Sequence, residues 1–144
     1  TPETLMNGAV SGHYFENYVV TELLKEYAYS NNKAVMSYFR DSNEKEIDVF
    51  VEESGFIHPI EIKKTANPDR REINKFSVLD KANVKRGAGG VICMCEEVIP
   101  IDPQNCFIPC DAAAVLNRLA VRKYLPATRR KFWKPVRLTW AYTS

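Results

Sequence analysis

The sequence predicts an α/β domain in which a central mixed β-sheet is flanked by helices. Three observations support this class: a helical pattern near the start, three consecutive stretches with strand character, and a second helical pattern that leads into an apolar strand. The 144 residues, 45% hydrophobic and 26% charged, suit one domain or one domain with a tail. This composition excludes a wholly disordered chain.

The first helix is expected from about His13 to Tyr29. Apolar residues recur at helical spacing and define its buried face: Phe15, Val19, Leu23 and Tyr27. Charged residues supply the solvated face: Glu22, Lys25 and Glu26. Residues 1–12 contain the breaker dipeptides Asn7-Gly8 and Ser11-Gly12, so this segment is expected to be a turn-rich lead-in.

A β-hairpin is the clearest local prediction. After a short strand at Val35–Arg40, the stretches Glu46–Glu53 and Phe56–Lys63 have strand character, and Ser54-Gly55 between them suits a two-residue loop. This loop places Glu53 opposite Phe56.

The hairpin register follows from that loop. Ile47 then lies opposite Ile62 and Val49 opposite Ile60, which gives the hairpin one apolar face. A bulge at Pro59 would shift the pairing locally.

The second half of the chain predicts a helix and further strands. Asn67 is expected to cap the helix, with Pro68 at its first position and Asp69 in its first turn. The inner stripe of this helix is formed by Ile73, Phe76 and Leu79. Beyond it we expect a glycine-rich break at 87–90, strands at 91–95 and 106–108, and a short helix from Asp111 to about Leu119.

Acidic side chains meet on the other face of the predicted hairpin. Asp48 is expected directly opposite Glu61, Glu46 opposite Lys63, and Lys63 on the same face as Glu61. Directly opposed like charges destabilise a sheet, so a divalent cation bound by the carboxylates would offset the repulsion. The alternative is a solvated hairpin face whose acids reach water.

Glu16 is a third candidate carboxylate. Its neighbours at helical spacing are Val19, Val20 and Leu23, so it falls inside the apolar stripe, where an unpaired charge is costly. A partner on the hairpin, or a metal ion bound by both, would relieve that cost. The alternative is an edge position from which the carboxylate reaches water.

The pattern Glu16, Asp48 and Glu61-Ile62-Lys63, spread over helix, strands, helix and strand, resembles the PD-(D/E)XK nuclease superfamily. Four blocks, at 14–20, 38–41, 46–49 and 59–63, are similar to one uncharacterised family of nuclease-like domains that follow an AAA-type ATPase module in bacterial and archaeal proteins. The resemblance covers about residues 8–110 and implies a restriction-endonuclease-like fold with an αβββαβ core.

The resemblance also implies roles for the matching residues. Asp48 and Glu61 would bind Mg²⁺ or Mn²⁺, and Glu16 would be a further ligand, either directly or through water. Lys63 would orient water or neutralise charge during phosphodiester hydrolysis in DNA or RNA. Ile47 stands where the superfamily has its proline. The chain has no glycine-rich phosphate loop ending in Gly-Lys-Ser/Thr, so the ATPase module is expected elsewhere. A non-catalytic regulatory or partner-binding domain that retains the fold is the alternative.

Other polar residues have two interpretations each. Four cations near the carboxylates are candidate nucleic-acid contacts or the solvated face of a helix: Lys64, Arg70, Arg71 and Lys75. The four cysteines are expected to be reduced and mostly buried. A zinc site is the less favoured alternative, because Cys93 and Cys95 are too closely spaced. His58 is expected to be structural, and His13 is close enough to Glu16 to line a cleft.

Charge divides the chain into a nuclease-like domain, 1–117, and a basic tail, 118–144. The tail carries 8 Lys/Arg and no acid, and its aromatic residues are interleaved with cations, which suits either single-strand binding or a segment of different origin. No apolar run is long enough to cross a membrane, and no export signal is present, so a cytoplasmic location is expected. Because the first residue is Thr1, we expect a fragment of a longer protein; the oligomeric state is not predicted.

Overall fold

A six-stranded mixed sheet organises the part of the chain that the structure, a computed structural model, describes: residues 10–29, 35–40 and 45–110. The elements in chain order are helix α1 Val10–Tyr29, strands β1 Val35–Arg40, β2 Glu46–Glu53 and β3 Phe56–Ile62, a 3₁₀-helix Arg70–Phe76, helix α2 Ser77–Lys81, and strands β4 Gly89–Cys93, β5 Ile99–Pro100 and β6 Asn105–Pro109.

The strands lie in the order β1-β2-β3-β4-β6-β5. Strands β1, β2 and β3 are antiparallel, β3, β4 and β6 are parallel, and β5 pairs antiparallel with β6 at the edge. The α/β class with a mixed sheet is confirmed. The prediction missed β5, because two residues carry no periodic pattern.

The hairpin loop has the predicted length and a defined geometry. Ser54 and Gly55 have φ of 53° and 79°, so both central residues are left-handed, as the twist of a two-residue hairpin favours. The predicted register is confirmed from Glu53–Phe56 to Val49–Ile60, and Pro59 pairs with Phe50 without a shift. The conformation of the two-residue loop therefore determines the pairing register of β2 with β3.

A bulge in β2 corrects the prediction for the far end of the hairpin. Ser37 pairs with Phe50 but Phe39 pairs with Ile47, so two β2 residues, Asp48 and Val49, lie against one residue of β1. Ile47 therefore packs with Phe50, on the opposite side of the sheet from Val49. The expectation that Ile47 and Val49 share one face is wrong because of this extra residue.

Hydrophobic clusters cover both faces of the sheet. On one face α1 buries Val19 and Leu23 against a group of strand residues that includes Val49, Val51, Ile60 and Ile62. On the other face Phe76 and Leu79 pack on Ile47 and Phe50. The predicted inner stripes are confirmed for these residues, with Phe15 and Ile73 half-buried; the side chain of Tyr27 is outside the described part.

Both helical segments start at different residues from those predicted. Helix α1 begins at Val10, so Ser11-Gly12 lies inside the helix and does not break it. The second segment begins as a 3₁₀-helix capped by Asp69, whose carboxylate accepts the Arg71 N–H at 2.8 Å, and not by Asn67. Helical pattern alone does not distinguish a 3₁₀ start from an α-helical one.

The glycines at 89 and 90 begin β4 and do not form the predicted break. A Cβ at Gly89 would lie 2.7 Å from Asn105 Oδ1, and one at Gly90 would lie 2.6 Å from Ile108 Cδ1. These glycines therefore leave room beside β4 for the side chains of Asn105 and Ile108 on β6. Residues 1–9, 30–34, 41–44 and 111–144 lie outside the described residues; they include most of the predicted lead-in, the helix predicted from Asp111 and the basic tail.

Candidate active site

The carboxylates of Asp48 and Glu61 are brought together where β2 and β3 stop pairing. The regular ladder ends at Val49–Ile60, and Asp48 Oδ2 instead accepts the backbone N–H of Ile62 at 2.7 Å. The β2 bulge thus aims Asp48 at the residue that follows Glu61, as bulges near functional sites often do. The two acids lie close together, as predicted. The hydrogen bond from Ile62 N–H to the Asp48 side chain brings them together, and not the predicted pairing of Asp48 with Glu61 between the strands. Glu46 instead pairs with Arg40 at 3.0 Å.

Glu61 is almost fully buried, with 2% of its side chain exposed. Its Oε1 accepts a hydrogen bond from the ammonium of Lys75 and lies 3.3 Å from the ammonium of Lys63. Its Oε2 is buried and has no hydrogen-bond partner. A buried carboxylate oxygen without a donor is costly, so this atom has coordinating capacity that the protein itself does not use.

The two lysines belong to a four-charge network. Each ammonium also approaches Glu72 Oε2, at 3.6 Å from Lys63 and 3.4 Å from Lys75. Both lysine side chains remain about one-third exposed. The network therefore connects a buried acid, Glu61, to solvent through two cations.

Burial and like charge make these acids hard to ionise. Burial raises the pKa of Asp48, and the Glu16 carboxylate raises it further, against the Ile62 N–H that lowers it. Burial likewise raises the pKa of Glu61. The hydrogen bond from Lys75 lowers this pKa and repulsion from Asp48 raises it, but the effect of burial is the largest. Burial opposes charge on Lys75, yet its hydrogen bond to Glu61 raises its pKa overall. An added cation would stabilise the ionised form of both acids.

Glu16 lies near this pair without completing a ligand set. It is half-buried on α1, and its charge acts on Asp48. Within residues 10–29, 35–40 and 45–110, no three His, Cys, Asp or Glu side chains are placed as a preformed metal centre. The structure thus brings Asp48, Glu61 and Lys63 together and leaves Glu16 at the margin.

The four predicted nucleic-acid contacts fall in different places. Arg70 donates to the backbone carbonyl of Ile101, and Arg71, with 82% of its side chain exposed, pairs with Asp69. Lys75 turns toward Glu61, so it belongs to the carboxylate network. Glu72 was missed by sequence reasoning, although its position three residues before Lys75 on a helix was a usable signal for pairing.

The remaining candidate residues have structural surroundings. His58 is buried and its Nδ1 donates to the carbonyl of Ala88 at 2.9 Å, whereas His13 is exposed on α1. The four cysteines form no disulfide. Burial and the neighbouring Cys93 raise the pKa of Cys95 to about 12, which disfavours a reactive thiolate.

A groove of about 530 Å³ lies on the α1 side of the sheet. We call it the tyrosine groove; its wall includes Tyr14, Phe15, Tyr18, Lys64, Met94 and Cys110. Met94 and Cys110 directly follow the parallel strands β4 and β6, and Lys64 lies two residues after β3. The groove therefore opens at the carboxyl ends of these strands. No helix in the described part of the chain has the length and apolar character needed to cross a membrane.

Together these features define an α/β domain in which a buried Glu61 and a half-buried Asp48 lie beside two lysines, at one end of the central strands of a mixed sheet. A family model described as a domain of unknown function (DUF4143) matches residues 11–113, and the chain belongs to this family. No curated protein matches the chain, and no solved structure matches it.

Proposed function

We propose that this domain is a restriction-endonuclease-like module of the PD-(D/E)XK type that hydrolyses phosphodiester bonds in DNA or RNA with Mg²⁺ or Mn²⁺. The observation that supports this most is the pairing of Asp48 with a buried Glu61 whose Oε2 has no donor, next to Lys63. The element order helix, three strands, helical segment and strand agrees with the αβββαβ core of that fold. Fold alone does not establish activity, so the site residues have to support it.

The donor set fits a small hard cation. Mg²⁺ is usually held by one or two carboxylates, with water and substrate phosphate completing its shell, so a preformed cluster of three acids is not required. Asp48 and Glu61 would be the ligands, and Glu16 would hold an outer water. When bound, the ion supplies Lewis-acid chemistry toward a phosphoryl oxygen and lowers the pKa of water.

The chain's own residues would position the substrate and stabilise charge. The bond from Ile62 N–H fixes the Asp48 carboxylate, and Lys75 fixes Oε1 of Glu61. Lys63 lies 3.3 Å from Glu61 and is one-third exposed, so its ammonium can contact an arriving phosphate and neutralise the charge that develops on it. Glu72 would hold both ammonium groups close to Glu61.

Nucleic acid is the proposed partner, and an AAA-type ATPase module preceding this domain is the proposed second partner. The chain contains no Gly-Lys-Ser/Thr phosphate loop, so under this proposal ATP hydrolysis would take place in the preceding module. The nuclease domain would then act on nucleic acid that the ATPase presents.

Cleavage assays test the catalytic proposal directly. With Mn²⁺, the full chain should nick plasmid or degrade single-stranded DNA or RNA, and EDTA should stop it. Asp48→Asn and Glu61→Gln should each lower the rate by at least about a hundredfold, the scale for losing a group that stabilises transition-state charge. Glu52→Gln, an exposed acid on the same strand as Asp48, should cleave like the wild type.

Two outcomes would contradict the proposal. One is the absence of cleavage on all these substrates across Mg²⁺ and Mn²⁺. The other is cleavage that survives Asp48→Asn, because it would then come from another site or another protein.

A second candidate function is a non-catalytic regulatory or partner-binding domain. The contacts of Lys63 and Lys75 with Glu61 favour it, because they already neutralise this acid without a metal ion. Under it, divalent ions bind weakly or not at all. A calorimetric titration with Mn²⁺ that stays silent at millimolar ion would favour this function over the nuclease.

A further inference from the structure

The tyrosine groove presents aromatic faces to solvent. Tyr14 and Tyr18 lie four residues apart on α1, so they fall on one side of the helix, and they are 58% and 51% exposed. Met94, on the opposite wall, is 41% exposed. Large side chains left this exposed on one wall of a groove are a common sign of a binding surface.

The groove is joined rigidly to the acid pair. Lys63 contacts Glu61, and its sequence neighbour Lys64 lines the groove. Two backbone hydrogen bonds hold the segment 63–65 to the end of β4. Lys63 N–H donates to the carbonyl of Ile92 at 2.9 Å, and Met94 N–H donates to the carbonyl of Thr65 at 2.9 Å. A ligand lying across this edge of the sheet would therefore meet both places at a fixed spacing.

We propose, on the basis of the nuclease function proposed above, that the tyrosine groove binds unpaired bases of a single-stranded nucleic acid. The bases would stack on Tyr14 and Tyr18, and the ammonium of Lys64 would contact a phosphate of the same strand. The scissile phosphate, one or a few nucleotides along, then reaches Lys63 and the acid pair. The preferred substrate is accordingly single-stranded.

Three features favour this occupant. The groove is walled mostly by aromatic and apolar side chains with one cation, which suits base faces better than a row of phosphates. Its volume of about 530 Å³ lies within the range of about 300–1,000 Å³ for small-ligand sites. Its position at the carboxyl ends of parallel strands is where open α/β sheets bind ligands. A duplex keeps its bases stacked inside and offers none to the tyrosines.

Fluorescence anisotropy of the full chain, in EDTA, tests the proposal without catalysis. The probe is labelled oligothymidylate of about 12 nucleotides, a length within known single-strand site sizes. Tyr14→Ala and Tyr18→Ala should each weaken binding about fivefold to a hundredfold, as expected when a stacked base loses its aromatic partner. Lys64→Gln should weaken binding and reduce its salt dependence by about one phosphate contact.

The matched control is Tyr38→Ala. Tyr38 is 60% exposed on β1, away from the groove, so its removal changes the surface to a similar extent and should leave binding unchanged. Duplex of the same length should bind more weakly than the single strand, and the Tyr14 and Tyr18 variants should not alter that binding. Circular dichroism melting checks that each variant is folded.

Equal binding by the wild type, Tyr14→Ala and Tyr18→Ala would overturn the groove proposal, as would tighter binding of duplex than of single strand. The basic tail is present in every variant, so the comparison among variants on one probe is made with the same tail throughout. The two proposals fail separately. If DNA is cleaved equally by the wild type and the tyrosine variants, the nuclease proposal holds and the groove proposal is wrong. If binding depends on the tyrosines but no cleavage occurs, the groove proposal holds and the nuclease proposal is wrong.

Discussion

Single residues at the site combine burial with charge in a way that ordinary surface acids do not. Asp48 is half-buried, and both Glu16 and Glu61 lie close enough for their charges to matter to the site. The protein supplies one backbone N–H to Asp48 and two ammonium groups to Glu61. These donors therefore offset only part of the cost of burying the two carboxylates. A divalent cation bound between the acids would offset the rest.

Asp48→Asn should stabilise the protein at neutral pH when no metal ion is present. Burial raises the folded-state pKa of Asp48 above its ordinary 3.8, so the folded state binds the proton more strongly than the unfolded state does. Stability then falls as pH rises from about 4 through the folded pKa, and this loss is absent in the amide variant. We expect a gain of up to about 1 kcal/mol at pH 7, the size of relieved like-charge repulsion.

Urea unfolding in EDTA between pH 4 and pH 8 measures this gain. The difference between Asp48→Asn and the wild type should grow with pH across the lower part of that range. Glu52→Gln, on the same strand but exposed, serves as the control. A variant less stable than the wild type at every pH would show that the carboxylate contributes more through its bond to Ile62 than it costs by being buried.

Secondary-structure elements show which features local sequence determines. The hairpin was predictable because a two-residue loop and alternating β-branched residues specify the same register. The bulge at Asp48 was not, since it depends on how β2 pairs with β1, which is a contact between separate elements. The same holds for the contacts of Lys75 with Glu61 and of Glu72 with Lys63, because both require the 3₁₀-helix to pack on the sheet.

Two glycines also show that local sequence does not determine the surroundings of a residue, because one is crowded by a neighbouring side chain and the other is open to solvent. A Cβ at Gly87 would lie 2.1 Å from the ring of His58, which is buried and bonded to Ala88. A Cβ at Gly12, inside α1, would meet nothing within 4 Å. Sequence alone predicted both as breakers of regular structure.

Gly87→Ala and Gly12→Ala should therefore change stability in opposite directions. The first should lower the free energy of unfolding by about 1–3 kcal/mol, because the His58 ring must move and its bond to Ala88 is strained. The second should raise the free energy of unfolding by about 0.5–1 kcal/mol, because alanine loses less backbone entropy in a helix. Urea unfolding of both variants at one pH makes the comparison; equal effects would mean that His58 repacks freely.

At the scale of the whole molecule, the proposed metal site would link folding and metal binding through Glu61. A ligand that binds the folded chain stabilises it in proportion to its affinity. Lys75 competes for the Glu61 carboxylate, and its raised pKa keeps it charged at neutral pH. The stability that Lys75 contributes is full below its ordinary pKa of 10.5 and is lost only as pH rises through the higher folded value.

Lys75→Met should make the molecule less stable without metal and more responsive to metal. Without Mn²⁺ we expect a loss of about 1–2 kcal/mol, discounted because the Lys75 side chain is about one-third exposed. With the competing ammonium gone, Mn²⁺ should bind about tenfold more tightly, about 1.4 kcal/mol, and the rise in melting temperature on adding it should be larger than in the wild type.

Thermal unfolding in EDTA and in millimolar Mn²⁺ compares the wild type, Lys75→Met and the control Arg71→Met. The side chain of Arg71 is 82% exposed and pairs with Asp69 instead of Glu61. The control should respond to Mn²⁺ like the wild type. If all three respond equally, the ion binds elsewhere, and Lys75 only neutralises Glu61. A response confined to Lys75→Met would instead mean that the lysine excludes metal from the native site, which is the behaviour of a domain that has kept the fold and given up the chemistry.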